Sequence, residues 1–423
     1  MEKIAIISTR LGGIDGVSVE ADKWANAYKR IGLDPVYIAG KFDREDSSVF
    51  FAVEEMDYYH PDVVNIRKIA FNEGKKATGK DLGRLIDSIA DVKEIIKSKL
   101  LKILNSNNIV YLSIENALTI PLNIPLAIAL TEVISENNIK AITRHHDFYW
   151  ERKQFLCSNV EKMLDDYFPP DLVNLKHVVI NTLAKKSIHD KKKIEAIYIP
   201  NIFDFDVLKE IGSKHFKVKK FLDMDDDDFL ILQPTRLIAR KNIGRTIELV
   251  DKLSKETDKK INLIISGNPE KNELDYFNEI TRLARKSGTN LILSNNDYNH
   301  IPEYTRKDLF KKFDIYDLYK ACDLVTLPSD VEGFGNPAIE ASVLKKPLFV
   351  NNYPVLADML SKGFEFIVID KKVDRESVEK TFKLLTDHKM REKVTSKNFK
   401  IAKEHYSIDY LISRLKKLIG ELN

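Results

Sequence analysis

The segment Glu332-Gly333-Phe334-Gly335-Asn336-Pro337-Ala338-Ile339-Glu340 sets two carboxylates around a glycine loop. Gly333 and Gly335 let backbone N–H groups approach a ligand, and Pro337 suits the first turn of a helix. Glu340 then falls one turn beyond Asn336, on the same face. Carboxylates accept hydrogen bonds from hydroxyls and amides bind anions, so the set suits a polyhydroxyl ligand carrying phosphate. A second segment, Gln233 to Asn242, carries Arg236 and Lys241 in a loop leaving a predicted strand. Two fixed cations there could hold a diphosphate without a metal, although a solvated basic turn has the same composition.

The first half of the chain gives weaker signals. Thr9 to Gly16 contains Gly12, Gly13 and Gly16 between a predicted strand and helix. The spacing is GGxxG, so the dinucleotide fingerprint GxGxxG fails. An anion-binding loop and a plain tight turn both fit. Thr143-Arg144-His145-His146-Asp147 ends another predicted strand. Adjacent histidines on extended backbone point to opposite faces, which makes a poor metal clamp. One of the two is expected to face a ligand and the other the interior. Arg10 and Arg144 sit at carboxyl ends of predicted strands, with Asp147, Arg152 and Lys153 close in sequence. Cations there suit an acidic ligand. The run Asp223 to Asp228 lies before a strand, the wrong end for a ligand site, and reads as a solvated linker.

These residues need a scaffold of strands that end in loops. Short apolar runs at Lys3–Ser8, Val36–Ala39, Ile109–Ser113, Ala141–Thr143 and Val178–Ile180 alternate with segments of helical period. After Pro200-Asn201 the pattern restarts, with strands at Phe229–Gln233, Asn262–Ser266, Leu291–Leu293 and Leu324–Leu327. Such alternation predicts an α/β chain of two doubly wound, Rossmann-like domains with parallel sheets, whose ligands lie beyond the strand carboxyl ends in the cleft they face. The expected boundaries are 1–203 for an N-terminal domain, 204–395 for a second, ligand-binding domain, and 396–423 for a C-terminal helix that could pack back on the first. Residues 41–107 are the least regular and read as an insertion.

Composition limits the classes of function. The 423 residues carry 67 Lys and Arg against 64 Asp and Glu, a net charge of +3. A chain this close to neutral is a poor general binder of nucleic acid. Two cysteines, Cys157 and Cys322, lie far apart, which excludes a disulfide framework or zinc ribbon and fits a reducing compartment. The apolar stretch from Ile109 to Ile134 is broken by Glu115, Asn116, Pro121, Asn123 and Pro125, and makes a poor bilayer span. A cytoplasmic location is expected. The helix Val92–Leu104 is basic and amphipathic; it could touch a membrane surface, but packing onto the protein is the favoured reading.

Together the motifs resemble the family-4 retaining glycosyltransferases with the GT-B fold. EGFGNPAIEA matches that family's E-x7-E motif, and Arg236 with Lys241 matches its Arg-x4-Lys pair. Arg240 stands where an acidic residue is usual. The segment from Gly12 to Ile38 resembles the family's glycine loop and helix, and Ile199-Pro200-Asn201 its interdomain turn. The resemblance implies donor contacts from Glu332, Gly333, Phe334, Gly335, Asn336 and Glu340, with Gly12 and Gly13 near the phosphates. Arg236 and Lys241 would hold the departing diphosphate. His146 would touch the transferred sugar, with His145 its rival for that role, and Arg10, Arg144 and Asp147 would meet the acceptor. It further implies a nucleotide-sugar donor, GDP-mannose favoured, and a small anionic or phosphorylated acceptor such as glucosyl-3-phosphoglycerate. No cofactor and no divalent metal are expected to be essential. A UDP-glucose enzyme of the sucrose-phosphate-synthase type, a lipid or glycan glycosyltransferase, and a nucleotide-sugar-binding module without turnover are the alternatives.

Overall fold

The computed structural model describes residues 1–13, 15–44, 49–72, 77–267, 273–293 and 309–422. Ile14 of the first glycine loop lies outside them. The chain forms two units: residues 1–202 together with 408–423, and residues 203–407. The boundary expected at 395 therefore falls inside a helix, His388–His405, that belongs wholly to the second unit.

Unit 1 is built on a seven-stranded, all-parallel sheet in the order β3-β2-β1-β4-β5-β6-β7. Its strands are β1 (Lys3–Leu11), β2 (Asp34–Phe42), β3 (Phe50–Ala52), β4 (Ile109–Glu115), β5 (Lys140–His145), β6 (Leu175–Val179) and β7 (Ala196–Tyr198). A parallel sheet needs cover on both faces. The helices Gly79–Asn107 and Ile124–Glu136 supply one side, where Leu85, Ile89, Val92, Ile96, Leu100 and Leu104 meet Ile124, Leu126 and Leu130. The last part of the stretch that read as least regular, Gly79–Asn107, is thus a layer of the unit 1 core. The reason lies in the 3.6-residue spacing of those six apolar side chains, which makes the long helix a structural layer. Its lysines are engaged as well: Lys93 and Lys97 pair with Glu132, and Lys99 with Glu55.

On the opposite face lie the helices Gly16–Arg30 and Ile408–Leu422. Trp24 and Tyr28 of the first share a core with Leu411, Leu415 and Leu418 of the second. The final helix is therefore part of unit 1's core.

Unit 2 carries a six-stranded parallel sheet, β10-β9-β8-β11-β12-β13, among the described residues. The strands are β8 (Phe229–Gln233), β9 (Ile261–Ile265), β10 (Asn290–Leu293), β11 (Leu324–Leu327), β12 (Leu348–Asn351) and β13 (Ile367–Ile369). In both sheets the strand order reverses once, between β1 and β4 and between β8 and β11. At such a switch point the flanking loops diverge and leave room for a ligand beyond the strand ends.

Candidate active site

The two strongest sequence segments leave β8 and β11, so unit 2 brings them together at its switch point. The loop after β8 turns through Ala239–Lys241 and a left-handed Asn242 into the helix Ile243–Leu253. Buried Gln233 fixes that loop: its Nε2 donates to the Lys241 carbonyl at 3.0 Å and to Thr235 Oγ1 at 3.1 Å. Thr246 Oγ1 donates to Gln233 Oε1 at 2.7 Å. Gly267 is needed alongside, because a Cβ there would lie 2.4 Å from the Arg236 Cα.

The loop after β11 is tied to the first. Asp330 N–H donates to the Arg240 carbonyl at 3.1 Å, and Arg240 Nη1 donates to the Val331 carbonyl at 3.1 Å. Arg245 Nη1 donates to Pro328 O at 2.9 Å and to Asp330 Oδ1 at 2.7 Å. The result holds Lys241 Nζ in a hydrogen-bonded ion pair with Glu332 Oε1. Both side chains are about nine-tenths buried. Burial lowers the Lys241 pKa from the ordinary lysine value, against the pull of Glu332, and nearby Arg240 and Arg236 act in the same direction as burial. An arriving dianion would relieve both the buried charge and the crowding of cations.

Gly335 begins the helix Asn336–Val343 at φ 96, and a Cβ on it would lie 2.1 Å from the Tyr353 hydroxyl. Glycine is required there twice over, by backbone and by space. Having no side chain, it leaves the helix start without a side-chain cap, the arrangement that suits an anion. Glu340, one turn in, accepts a hydrogen bond from the buried Tyr319 hydroxyl at 2.5 Å. Burial and the Glu340 charge push the Tyr319 pKa well up, so that hydroxyl stays a donor.

Unit 1 treats its nominated residues less uniformly. Gly12 takes φ 81 after β1, but the following helix start is already capped: Asp15 Oδ1 accepts from the N–H groups of Val17 and Ser18. A Cβ on Gly13 would meet the carboxylates of Asp15 and Asp43 at 3.0 and 3.3 Å. Two carboxylates, Asp15 and Asp43, thus lie close beside Gly13.

His145 and His146 do face opposite ways. His145 is fully buried, with Nδ1 2.5 Å from Thr119 Oγ1 and Nε2 3.0 Å from His177 Nδ1. Burial lowers its pKa well below the ordinary histidine value, and lowers that of His177 to about 4. His146 is partly exposed; its Nε2 lies 3.1 Å from Glu115 Oε2, and its N–H donates to Asn116 Oδ1 at 3.0 Å. His145 is therefore an interior residue and His146 the one that reaches solvent.

Arg144 is not an outward-facing cation. Its side chain is 1% exposed, over the Trp24 ring at 4.6 Å, with Nε 3.4 Å from Glu115 and Nη2 3.7 Å from Glu20. Two fully buried carboxylates and the ring hold it under the strand ends. Arg10 is partly exposed but bonded to Asp43 at 3.1 Å, and Arg152 pairs with Asp147 at 2.6 Å. Arg10, Arg144 and Arg152 thus each already have a carboxylate. The sequence reading missed those partners, Glu20 and Glu115 above all. A signal existed: Glu20 interrupts the apolar stripe Val17, Ala21, Trp24, and Glu115 ends an apolar strand.

Among the described residues no three His, Cys, Asp or Glu side chains are grouped to hold a metal ion. The run Asp223–Asp228 forms the turn into β8, where Asp228 accepts from the N–H groups of Asp225 and Lys260. No helix of the described residues is long and apolar enough to cross a membrane.

Comparison with known proteins places this geometry. Residues 215–400 match the family described as Glycosyl transferases group 1. The mannosylglucosylglycerate synthase of Petrotoga mobilis is 30% identical over 88% of both chains. That of Thermotoga maritima is 29% identical over 97% of both. Among solved structures, a glycosyltransferase from Rickettsia africae superposes with a TM-score of 0.67 at 14% identity, over 100% of this chain and 98% of its own. An Anabaena protein, HepE, solved with UDP-glucose, gives 0.64 at 13% identity over 99% of this chain and 100% of its own. With its Lys241–Glu332 pair and glycine-started helix at one switch point, and relatives matched along most of its length, the chain belongs to the group 1 glycosyltransferases and is a hexosyltransferase of the GT-B fold.

Proposed function

We propose that the protein transfers mannose from GDP-mannose, with retention of anomeric configuration, to a small hexose-bearing acid of the glucosylglycerate type. The observation that carries this reading is the match of two relatives with one named activity along most of the chain. In this reading Arg236 and Lys241 hold the diphosphate as negative charge collects on it. Glu332 then exchanges its lysine for the hydroxyls of the donor sugar. Amides at Gly333 to Asn336 face the phosphate, and Glu340 accepts from the nucleotide ribose. His146, held by Glu115, meets the transferred hexose. The departing diphosphate takes the acceptor proton, so the reaction needs neither a separate protein base nor a divalent metal.

The phosphorylated acceptor, glucosyl-3-phosphoglycerate, becomes the second choice. Arg10, Arg144 and Arg152 are each matched by a carboxylate, which leaves little there to bind a phosphate dianion. Thermal shifts with GDP, UDP, GDP-mannose and UDP-glucose, measured with and without EDTA, test the donor. A ligand at 100 times its Kd adds about 2.7 kcal/mol to stability. GDP compounds alone should raise the melting temperature, equally with and without chelator. A response to UDP compounds alone would overturn the donor assignment.

A further inference from the structure

A pair of tyrosines that no motif marks stands at the carboxyl end of the sheet in unit 1. Tyr58 and Tyr59 are consecutive, yet their rings lie together at 4.3 Å between centroids. The Arg10 guanidinium sits over both, 5.7 Å from Tyr58 and 5.4 Å from Tyr59. Asp43 Oδ1 accepts from Arg10 Nη2 at 3.1 Å, and Asp57 Oδ1 lies 4.0 Å from Arg10 Nε. Tyr59 is 61% exposed despite this company.

The backbone beneath is fixed in place. The chain at Asp57 passes so close to β2 that a Cβ on Gly40 would lie 1.9 Å from the Asp57 nitrogen. Asn123 Nδ2 donates to the carbonyls of Glu55 and Met56 at 2.8 and 3.1 Å. Arg67 Nη1 donates to the carbonyls of Tyr58 and Leu122, each at 2.9 Å. Met56, just before the tyrosines, is fully buried. An exposed aromatic on so rigid a base is a preorganised surface, which loses little entropy when a ligand settles on it.

We propose that Tyr58, Tyr59, Arg10, Asp43 and Asp57 form a subsite for the neutral hexose ring of the acceptor. The apolar C–H face of a pyranose lies on the Tyr59 ring, and its hydroxyls donate to Asp43 and Asp57 while accepting from Arg10. Charge decides between a sugar and an anion here. One guanidinium faces two carboxylates, so an acid group would be repelled, whereas hydroxyls use both signs. The acceptor's carboxylate accordingly points away from Arg10. This assignment rests on the acceptor class proposed above, and deepens it by saying which end of that acceptor is held.

The test is steady-state kinetics of Tyr59→Ala, with Tyr59→Phe as the conservative variant, using GDP-mannose and glucosylglycerate. Tyr59→Ala should raise the acceptor KM about tenfold, as expected for losing roughly 60 Å² of apolar contact, and leave the donor KM unchanged. Tyr59→Phe should restore it. An unchanged acceptor KM in Tyr59→Ala would overturn the subsite while the transfer reaction stood. If the wild type fails to use glucosylglycerate, that acceptor class fails instead, and saturation-transfer NMR with methyl α-glucopyranoside judges the subsite alone. Contact signals in the wild type that vanish in Tyr59→Ala support it; silence in the wild type overturns it.

Discussion

At the scale of single residues, the account turns on buried charge. Lys241 is buried in unit 2 against one carboxylate, and two arginines beside it raise the cost of its own charge. Replacing a donor that stabilises developing negative charge costs roughly 2.7–4 kcal/mol in the transition state. Lys241→Ala and Arg236→Ala should each lose about that much in kcat/KM; Arg236→Ala should keep the wild-type melting temperature within a few degrees, whereas Lys241→Ala strands the buried Glu332 and should lower it. Rates close to wild type in either variant would remove that residue from the diphosphate site. In unit 1 the buried charges have a structural weight. Breaking a buried pair by removing one partner costs roughly 3–5 kcal/mol, because the other charge is stranded. Glu115→Ala, which leaves the buried Arg144 with the longer Glu20 contact alone, should therefore lower stability in a denaturant titration. His145 and His177 supply a pH dependence of known sign. Both are held neutral in the fold, with His177 lowered from the ordinary 6.5 to about 4. The unfolded chain binds protons between those values that the folded chain refuses, so stability is complete above pH 6.5 and falls as pH drops toward 4. The melting temperature should decline over that window, more shallowly in His177→Phe; equal slopes for the two proteins would contradict the assignment.

At the scale of elements, glycines show what the fold asks of its loops. Gly335→Ala forces a side chain into a left-handed position and against Tyr353, a strain of roughly 1–3 kcal/mol that should move the loop carrying Glu332. Gly83, inside the helix Gly79–Asn107 with open space around it, is the matched control. Gly83→Ala should be stabilising by roughly 0.5–1 kcal/mol and leave activity alone. Equal effects at the two positions would deny the loop its special geometry. The elements themselves were largely legible. Parallel strands buried on both faces read as short apolar runs, and the loops after β8 and β11 stood out because Arg236, Lys241, Glu332 and Glu340 break such runs at their ends. Strands β12 and β13 were not picked out, although strands as short elsewhere in the chain were. Which histidine faced inward was not legible either, since alternation fixes that the two differ without fixing the phase. Glu20 and Glu115 could not be paired with Arg144 from sequence, because the three lie on different elements that only the sheet order brings together.

At the scale of the whole molecule, the chain leaves unit 1 at Ile202 and returns to it at Ile408. Unit 1 thus depends on its last helix. Ile408, Leu411, Leu415 and Leu418 are all buried on the face that holds Trp24 and Tyr28. Ending the chain at Ser407 should unfold or aggregate unit 1 while unit 2 keeps its sheet, which limited proteolysis would reveal as a surviving fragment near residues 203–407. Survival of unit 1 with its original melting temperature would contradict the shared core. The proposed transfer reaction is the central claim about the whole chain. Its most direct test is a product assay: purified protein with GDP-mannose and glucosylglycerate, followed by mass and by the anomeric proton signal. The account predicts release of GDP together with one new mannosyl linkage of α configuration, lost in Lys241→Ala. Absence of any mannosylated product, with transfer instead from UDP-glucose, would contradict it.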